Sequence, residues 1–206
     1  MESQIPLNHS QLSRLKVFIA SPSDVDQERK TAFDVINRII PFRAIIVTFG
    51  YSNDQYFNYF DFCQTNDYQH YLKITSFTRK GIIGWEDMSS GVGRPQALIN
   101  EKLKECKLFI GLLWKRWGSP SGEESSGFHE EYKLALELHG SGQMTNVWLF
   151  FKKLPLSFNE DELEQAGEVR KFKREVISSQ NVLFKEFDNL EDWHKLLYDN
   201  YGAPHI

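Results

Sequence analysis

At 206 residues, with 41% hydrophobic and 25% charged side chains, the chain has the size and composition of one globular domain spanning 1–206, and two independent cores would be cramped. A net charge of −4 and a pI near 5.9 exclude a general electrostatic attraction to a phosphate backbone, so no direct nucleic acid partner is expected. Cys63 and Cys106 form no C-x-x-C pair, no apolar run approaches the ~18 residues that span a bilayer, and Met1 to His9 lack an apolar signal core; the expectation is a cytoplasmic chain away from the membrane, without structural zinc.

Leu15 to Ala20 reads as a short buried strand, stopped at Ser21-Pro22-Ser23 because proline removes a donor and biases the preceding residue to extended geometry. Ser23 with Asp26 has the spacing of a capping box, and Val25, Arg29, Ala32, Phe33, Ile36, Ile39 and Ile40 keep helical spacing up to Pro41. A second strand is expected over Ala44 to Phe49 and another ending near Ile83. Between them, Tyr51 to Tyr71 mixes eight aromatic rings with Asn, Asp and Gln in neither period; it reads as an aromatic-rich insertion at about 50–72 that packs on its own domain or on a partner.

A helix over Pro95 to Cys106, a strand over Leu108 to Trp114 and a helix over Phe128 to Leu138 follow. The strand Val147 to Phe151, a helix through Glu160 to Ser178, the strand Val182 to Phe187 and a last helix over Leu190 to Tyr198 complete the order. Strands alternating with helices imply an α/β fold with a doubly wound, flavodoxin-like parallel sheet of five strands. Arg170, Lys171, Lys173 and Arg174 share one helix and read as a solvated face.

In such a sheet ligands bind beyond the carboxyl ends of the strands. Three loops lie there: Ser21-Pro22-Ser23-Asp24, the stretch from Trp85 to Arg94, and the stretch from Lys115, Arg116 and Trp117 to Ser126 and Gly127. The last leads into the helix from Phe128, where a turn of ~100° per residue puts Phe128, Tyr132, Ala135 and Leu138 on one stripe. Glu131 falls within that stripe, whereas Glu130 points away beside Glu137 and Lys133. A carboxylate on an apolar face is costly unless paired or solvated in a cleft. Periodicity leaves three explanations for Glu131: a buried pair with Arg29, Arg94 or Arg116, a helix-start carboxylate favoured by the dipole, or catalysis.

The segment around Glu131 resembles the TIR-domain stretch that presents the catalytic glutamate of NAD hydrolases. The run from Val17 to Val25, Trp85-Glu86-Asp87, Gly93-Arg94-Pro95-Gln96 and the run from Phe109 to Gly118 resemble a TIR-related family often fused to STAND-type ATPases, with a departure between Gly50 and Lys73. The resemblance implies NAD+ as substrate rather than cofactor, no metal, Glu131 as the catalytic carboxylate, and activation by homo-oligomerisation. It also implies a fused or associated sensor or ATPase domain and a place among immune effectors, including bacterial defence against phage. Substrate contacts are then expected from Trp117 and Trp85 by stacking, from Ser21, Pro22, Ser23 and Asp24 toward a ribose or carboxamide, and from Arg94, Arg116, Ser126 and Phe128. Trp114 is expected to pack in the core. Nicotinamide leaves as a neutral amine, so a lone carboxylate suffices where an ordinary glycosidase also needs a proton donor.

The sequence holds no phosphate loop and no G-x-G-x-x-G turn; Pro120 occupies the serine position of a nucleophile elbow, and Lys133 stands where a zinc helix needs its second histidine. Two further readings remain open at this level: a non-catalytic oligomerisation module, and a nucleoside deoxyribosyltransferase-like N-glycosidase.

Overall fold

The computed structural model describes residues 16–36, 82–83, 94–155 and 159–202. In chain order these form β1 (Val17–Ala20), α1 (26–36), β2 (Ile82–Ile83), α2 (Pro95–Lys104), β3 (Leu108–Leu113), α3 (Gly127–Gly140), β4 (Asn146–Lys152), α4 (Glu160–Ser179), β5 (Phe184–Phe187) and α5 (Leu190–Gly202). The expected strand at Ala44 to Phe49, the aromatic stretch Tyr51 to Tyr71 and Trp85 lie outside the described residues.

The five strands pair in the order β2-β1-β3-β4-β5, all parallel. This is the flavodoxin-like order, in which the chain runs outward from β1 to one edge and then returns to β3 on the other side of β1. Side chains along each strand alternate between the two faces. Phe18, Phe109, Leu113, Leu149 and Phe151 join the core that packs Leu103 of α2, Phe128 and Tyr132 of α3 and Phe172 of α4. Val17, Ile19, Ile110, Leu112 and Phe150 face the other core, with Val25, Ala32 and Ile36 from the α1 side and Trp193 and Leu197 of α5. Helices therefore cover both faces, and each central strand reads as a continuous apolar run because neither face meets water.

One glycine sets how closely α3 approaches the sheet. A Cβ on Gly111 would lie 2.6 Å from Leu149 Cδ2 and 3.1 Å from Phe128 Cζ, so the bare backbone of β3 admits the first ring of α3. The start of α3 is thereby seated over the carboxyl ends of β1 and β3.

Two local expectations need correction. Ser23 does not cap a helix: it lies inside a 3-10 turn, Ser23–Val25, whose N-cap is Pro22 and which has no side-chain cap. The turn starts one residue earlier than the spacing implied, and the Ser23 hydroxyl accepts instead from Arg116 Nη1 at 3.3 Å. The last strand begins at Phe184, not Val182, since pairing with β4 starts at Leu149 and Phe184. The ends of α2 to α5 fall within a few residues of the pattern, as fraying termini do, and the expected end of the first helix near Pro41 lies outside the described residues.

Candidate functional site

The switch point between β1 and β3 is built by three segments. Ser21 and Pro22 leave β1 in extended geometry. Asp24 then reaches across to the exit of β3, where its Oδ2 accepts the backbone N–H groups of Lys115 and Arg116 at 3.0 Å each. Burial raises the Asp24 pKa while those two donors and the Arg116 charge pull it down. Ser126 closes the frame as the N-cap of α3, fully buried, its hydroxyl accepting from His129 N at 3.1 Å.

Between these segments lies a cavity of about 190 Å³, whose wall includes Ser21, Pro22, Arg29, Trp117, Phe128 and Glu131. Arg29 is braced on the β1 exit, with Nε donating to Ser21 Oγ at 2.9 Å and Nη2 to Ser21 O at 3.0 Å. Trp117 is buried against the rings of Phe128, His129 and Phe172 at centroid distances of 5.9, 5.4 and 5.1 Å, and its Nε1 donates to Ser125 Oγ at 3.1 Å. It presents part of a fixed indole to the cavity, and the same packing that buries it removes its freedom to move.

Glu131 occupies the position that the helical register implied, on the inner face of α3 among Phe128, Tyr132 and Ala135, and is 8% exposed. Its Oε1 accepts a hydrogen bond from Gln96 Nε2 of α2 at 2.9 Å. Burial disfavours the charged form and pushes the carboxyl pKa up to about 7, against the opposing pull of the Gln96 hydrogen bond and the Arg29 charge. Of the arginines named as partners for a structural pair, Arg94 is committed elsewhere, Arg116 bonds Ser23, and Arg29 acts on Glu131 as a charge across the cavity wall.

The neighbouring glutamate corrects the outward assignment. Glu130 is 7% exposed and gripped by α2: Arg94 Nη1 donates to Oε2 at 2.9 Å, Arg94 Nη2 to Oε1 at 2.7 Å, and Asn100 Nδ2 to Oε1 at 2.7 Å. This bidentate clamp holds its carboxyl at about 2, far below the usual range. A helical wheel marks that direction as away from the sheet, and it is; the flank of α3 nevertheless meets α2 and not water. Arg94 also donates to Ser121 O at 3.1 Å and pairs with the exposed Glu123 at 3.1 Å, tying α2 to the β3–α3 loop.

The candidate substrate residues thus separate. Ser21, Pro22, Trp117 and Phe128 line the cavity with Glu131, whereas Ser23, Asp24, Arg94, Arg116 and Ser126 build the frame around it. Sequence reasoning passed over Gln96 as a functional side chain; only its place after Arg94-Pro95, at the start of a helix facing α3, marked it. Trp114 is half-buried: its Nε1 donates to Lys153 O at 3.1 Å, and Lys115 and Lys152 lie over its ring. Of the basic run on α4, Arg170, Lys171 and Arg174 are exposed, and Lys173 pairs with Glu186.

Among the described residues no group of three or more His, Cys, Asp or Glu gathers as a metal site, and no helix is long and apolar enough to cross a membrane. The fold and site define a doubly wound parallel α/β domain with the buried Glu131 carboxylate on a cavity at its topological switch point. The chain belongs to the family described as Domain of unknown function (DUF4062), which matches residues 16–202. No curated protein and no solved structure matches it.

Proposed function

We propose that this domain is a TIR-like NAD+ glycohydrolase in which Glu131 drives scission of the nicotinamide–ribose bond. The observation that carries the reading is a buried carboxylate with a pKa near 7 on the wall of a cavity at the β1–β3 switch point, the location where open parallel sheets place their ligands.

The chemistry needs few parts. As the C1′–N1 bond breaks, its electron pair passes to the pyridinium nitrogen and nicotinamide leaves neutral; water then adds to C1′ of the oxocarbenium-like ribose and loses a proton. Ionised Glu131 stabilises the positive charge that moves onto the ribose, an electrostatic role strengthened by the dry surroundings of α3. Near neutrality the free site holds both protonation states, and the cationic ring of NAD+ favours the charged one on binding. The reduced dinucleotide, with a neutral ring, offers neither that attraction nor a comparable leaving group.

At about 190 Å³ the cavity falls below the ~300 Å³ where ligand pockets begin, so it suits a ribose or a single ring, not a whole dinucleotide. A second copy would supply the remaining contacts, in keeping with activity that depends on homo-oligomerisation. An effector role in defence, and a sensor or ATPase partner, rest on the TIR resemblance alone.

The test is incubation of purified protein with NAD+ over a concentration series, with nicotinamide and the ribosyl product identified by mass spectrometry. Release that rises faster than linearly with protein and vanishes in Glu131→Gln supports the proposal. Release of free base from deoxynucleosides in place of NAD+ supports the deoxyribosyltransferase-like reading, and an inert wild type at high concentration leaves the assembly module.

A further inference from the structure

We infer that Gln96 is the positioning residue for Glu131, its side-chain amide on α2 holding the Glu131 carboxylate in place on the cavity wall. The inference deepens the glycohydrolase reading and rests on it for its kinetic consequences, though not for its geometry.

Three observations converge on Gln96. Its Nε2 donates to Glu131 Oε1 at 2.9 Å, and both residues are buried. An ionised carboxylate accepts and cannot donate, so in that state the bond fixes which end of the amide faces Glu131. The same Nε2 makes a longer contact to Asn100 Oδ1 at 3.4 Å, and Asn100 donates to Glu130 Oε1 at 2.7 Å inside the Arg94 clamp. The surface clamp and the cavity carboxylate are therefore joined through two neutral amides.

The third observation is the space reserved for the amide. A Cβ on Gly127, the first residue of α3, would lie 2.6 Å from Gln96 Oε1. Gly127 has no positive φ that would require glycine, so its missing side chain serves the approach of Gln96.

A neutral donor suits this place. The charged groups acting on Glu131 are Arg29 from α1, which favours its ionised form, and Glu130 from α3, which opposes it. A lysine or arginine in place of Gln96 would cancel the negative charge that the reaction uses, whereas an amide orients the carboxylate and leaves the charge intact. The same N–H favours the ionised form against burial, so removing it makes the proton harder to lose.

Gln96→Leu tests this by two readouts, with Glu131→Gln as the reference that lacks the titration. The first is the pH midpoint of Glu131 ionisation in the folded protein, followed by NMR of its side-chain carboxyl carbon. It is expected to move up from about 7 by roughly one to two units, the size of a hydrogen bond to a charged group. The second is nicotinamide release, where kcat/KM at pH 7 falls roughly tenfold and recovers toward pH 9.

A folded Gln96→Leu with the wild-type midpoint, or with a loss of kcat/KM equal at every pH, overturns the inference. Should Gln96→Leu not fold, Gly127→Ala decides, because its methyl displaces only the end of a flexible side chain. An upward midpoint shift in that variant supports the assignment and an unchanged midpoint overturns it. A wild type that releases no nicotinamide defeats the glycohydrolase reading, while the titration midpoint still settles the role of Gln96.

Discussion

Glu130 and Glu131 are consecutive residues on one helix, both largely hidden from water, and they are held in opposite electrostatic conditions. Glu130 faces a bidentate arginine and an amide, and its carboxyl is held at about 2; Glu131 faces one neutral amide and a cavity, and rises to about 7. Burial is the larger influence on Glu131, which lies deeper, and the Arg94 clamp is the larger influence on Glu130, so depth and partner together decide the outcome. A buried carboxylate with a fork of donors is a structural fastener, and one with a single neutral donor and an open side keeps its charge available for a ligand.

The largest effect that separates them is catalytic. Replacing Glu131 by Gln should reduce nicotinamide release by about two to three orders of magnitude, the scale of losing one transition-state charge partner, measured as kcat/KM in the assembled protein. The wild-type rate should rise with pH through about 7 as Glu131 loses its proton. A flat profile from pH 6 to 8 would remove the link between that ionisation and the chemistry.

Stability should move the other way. The folded-state pKa of Glu131 lies above the ordinary 4.5, so this group stabilises the fold fully below about 4.5 and loses that contribution as pH rises through about 7. Glu131→Gln should therefore be more stable than wild type at pH 8, by up to about 3 kcal/mol, in urea unfolding. A destabilised Glu131→Gln at pH 8 would class Glu131 with Glu130 as a fastener.

Glu130→Gln should instead destabilise by about 2 kcal/mol, less than for a fully buried pair because Arg94 is partly exposed to solvent. Its depressed pKa means that the wild-type contribution is present above about 4.5 and lost as pH falls toward 2. That acid limb should be shallower in Glu130→Gln. Smaller again is Ser126→Ala, which removes the cap of the helix bearing both carboxylates and should cost about 1 kcal/mol by thermal unfolding. The exposed Arg174→Ala on α4 should change stability by less than about 0.5 kcal/mol.

Much of this arrangement was legible before any coordinates. The apolar runs at Val17 to Ala20 and Leu108 to Leu113 declared strands covered on both faces, and the alternation of strand and helix declared the parallel sheet. The inward direction of Glu131 followed from the fixed turn of a helix and the stripe formed by Phe128, Tyr132, Ala135 and Leu138. The cap at Ser23 was misread because the three-residue spacing from Ser23 to Asp26 cannot report that Pro22 is the N-cap of a tighter turn.

What the sequence determined by itself is what depends on near neighbours along the chain: the periodicity of each element, the order of strands and helices, and the face on which Glu131 emerges. What tertiary structure alone decided is what depends on residues brought together from afar. Arg94 meets Glu130 and Gln96 meets Glu131 across α2 and α3, and the cavity joins the end of β1 to the start of α3. A helical wheel assigns each side chain a direction, but whether that direction ends in water, an arginine or an empty space is set by the packing of the neighbouring helix, which no local pattern encodes.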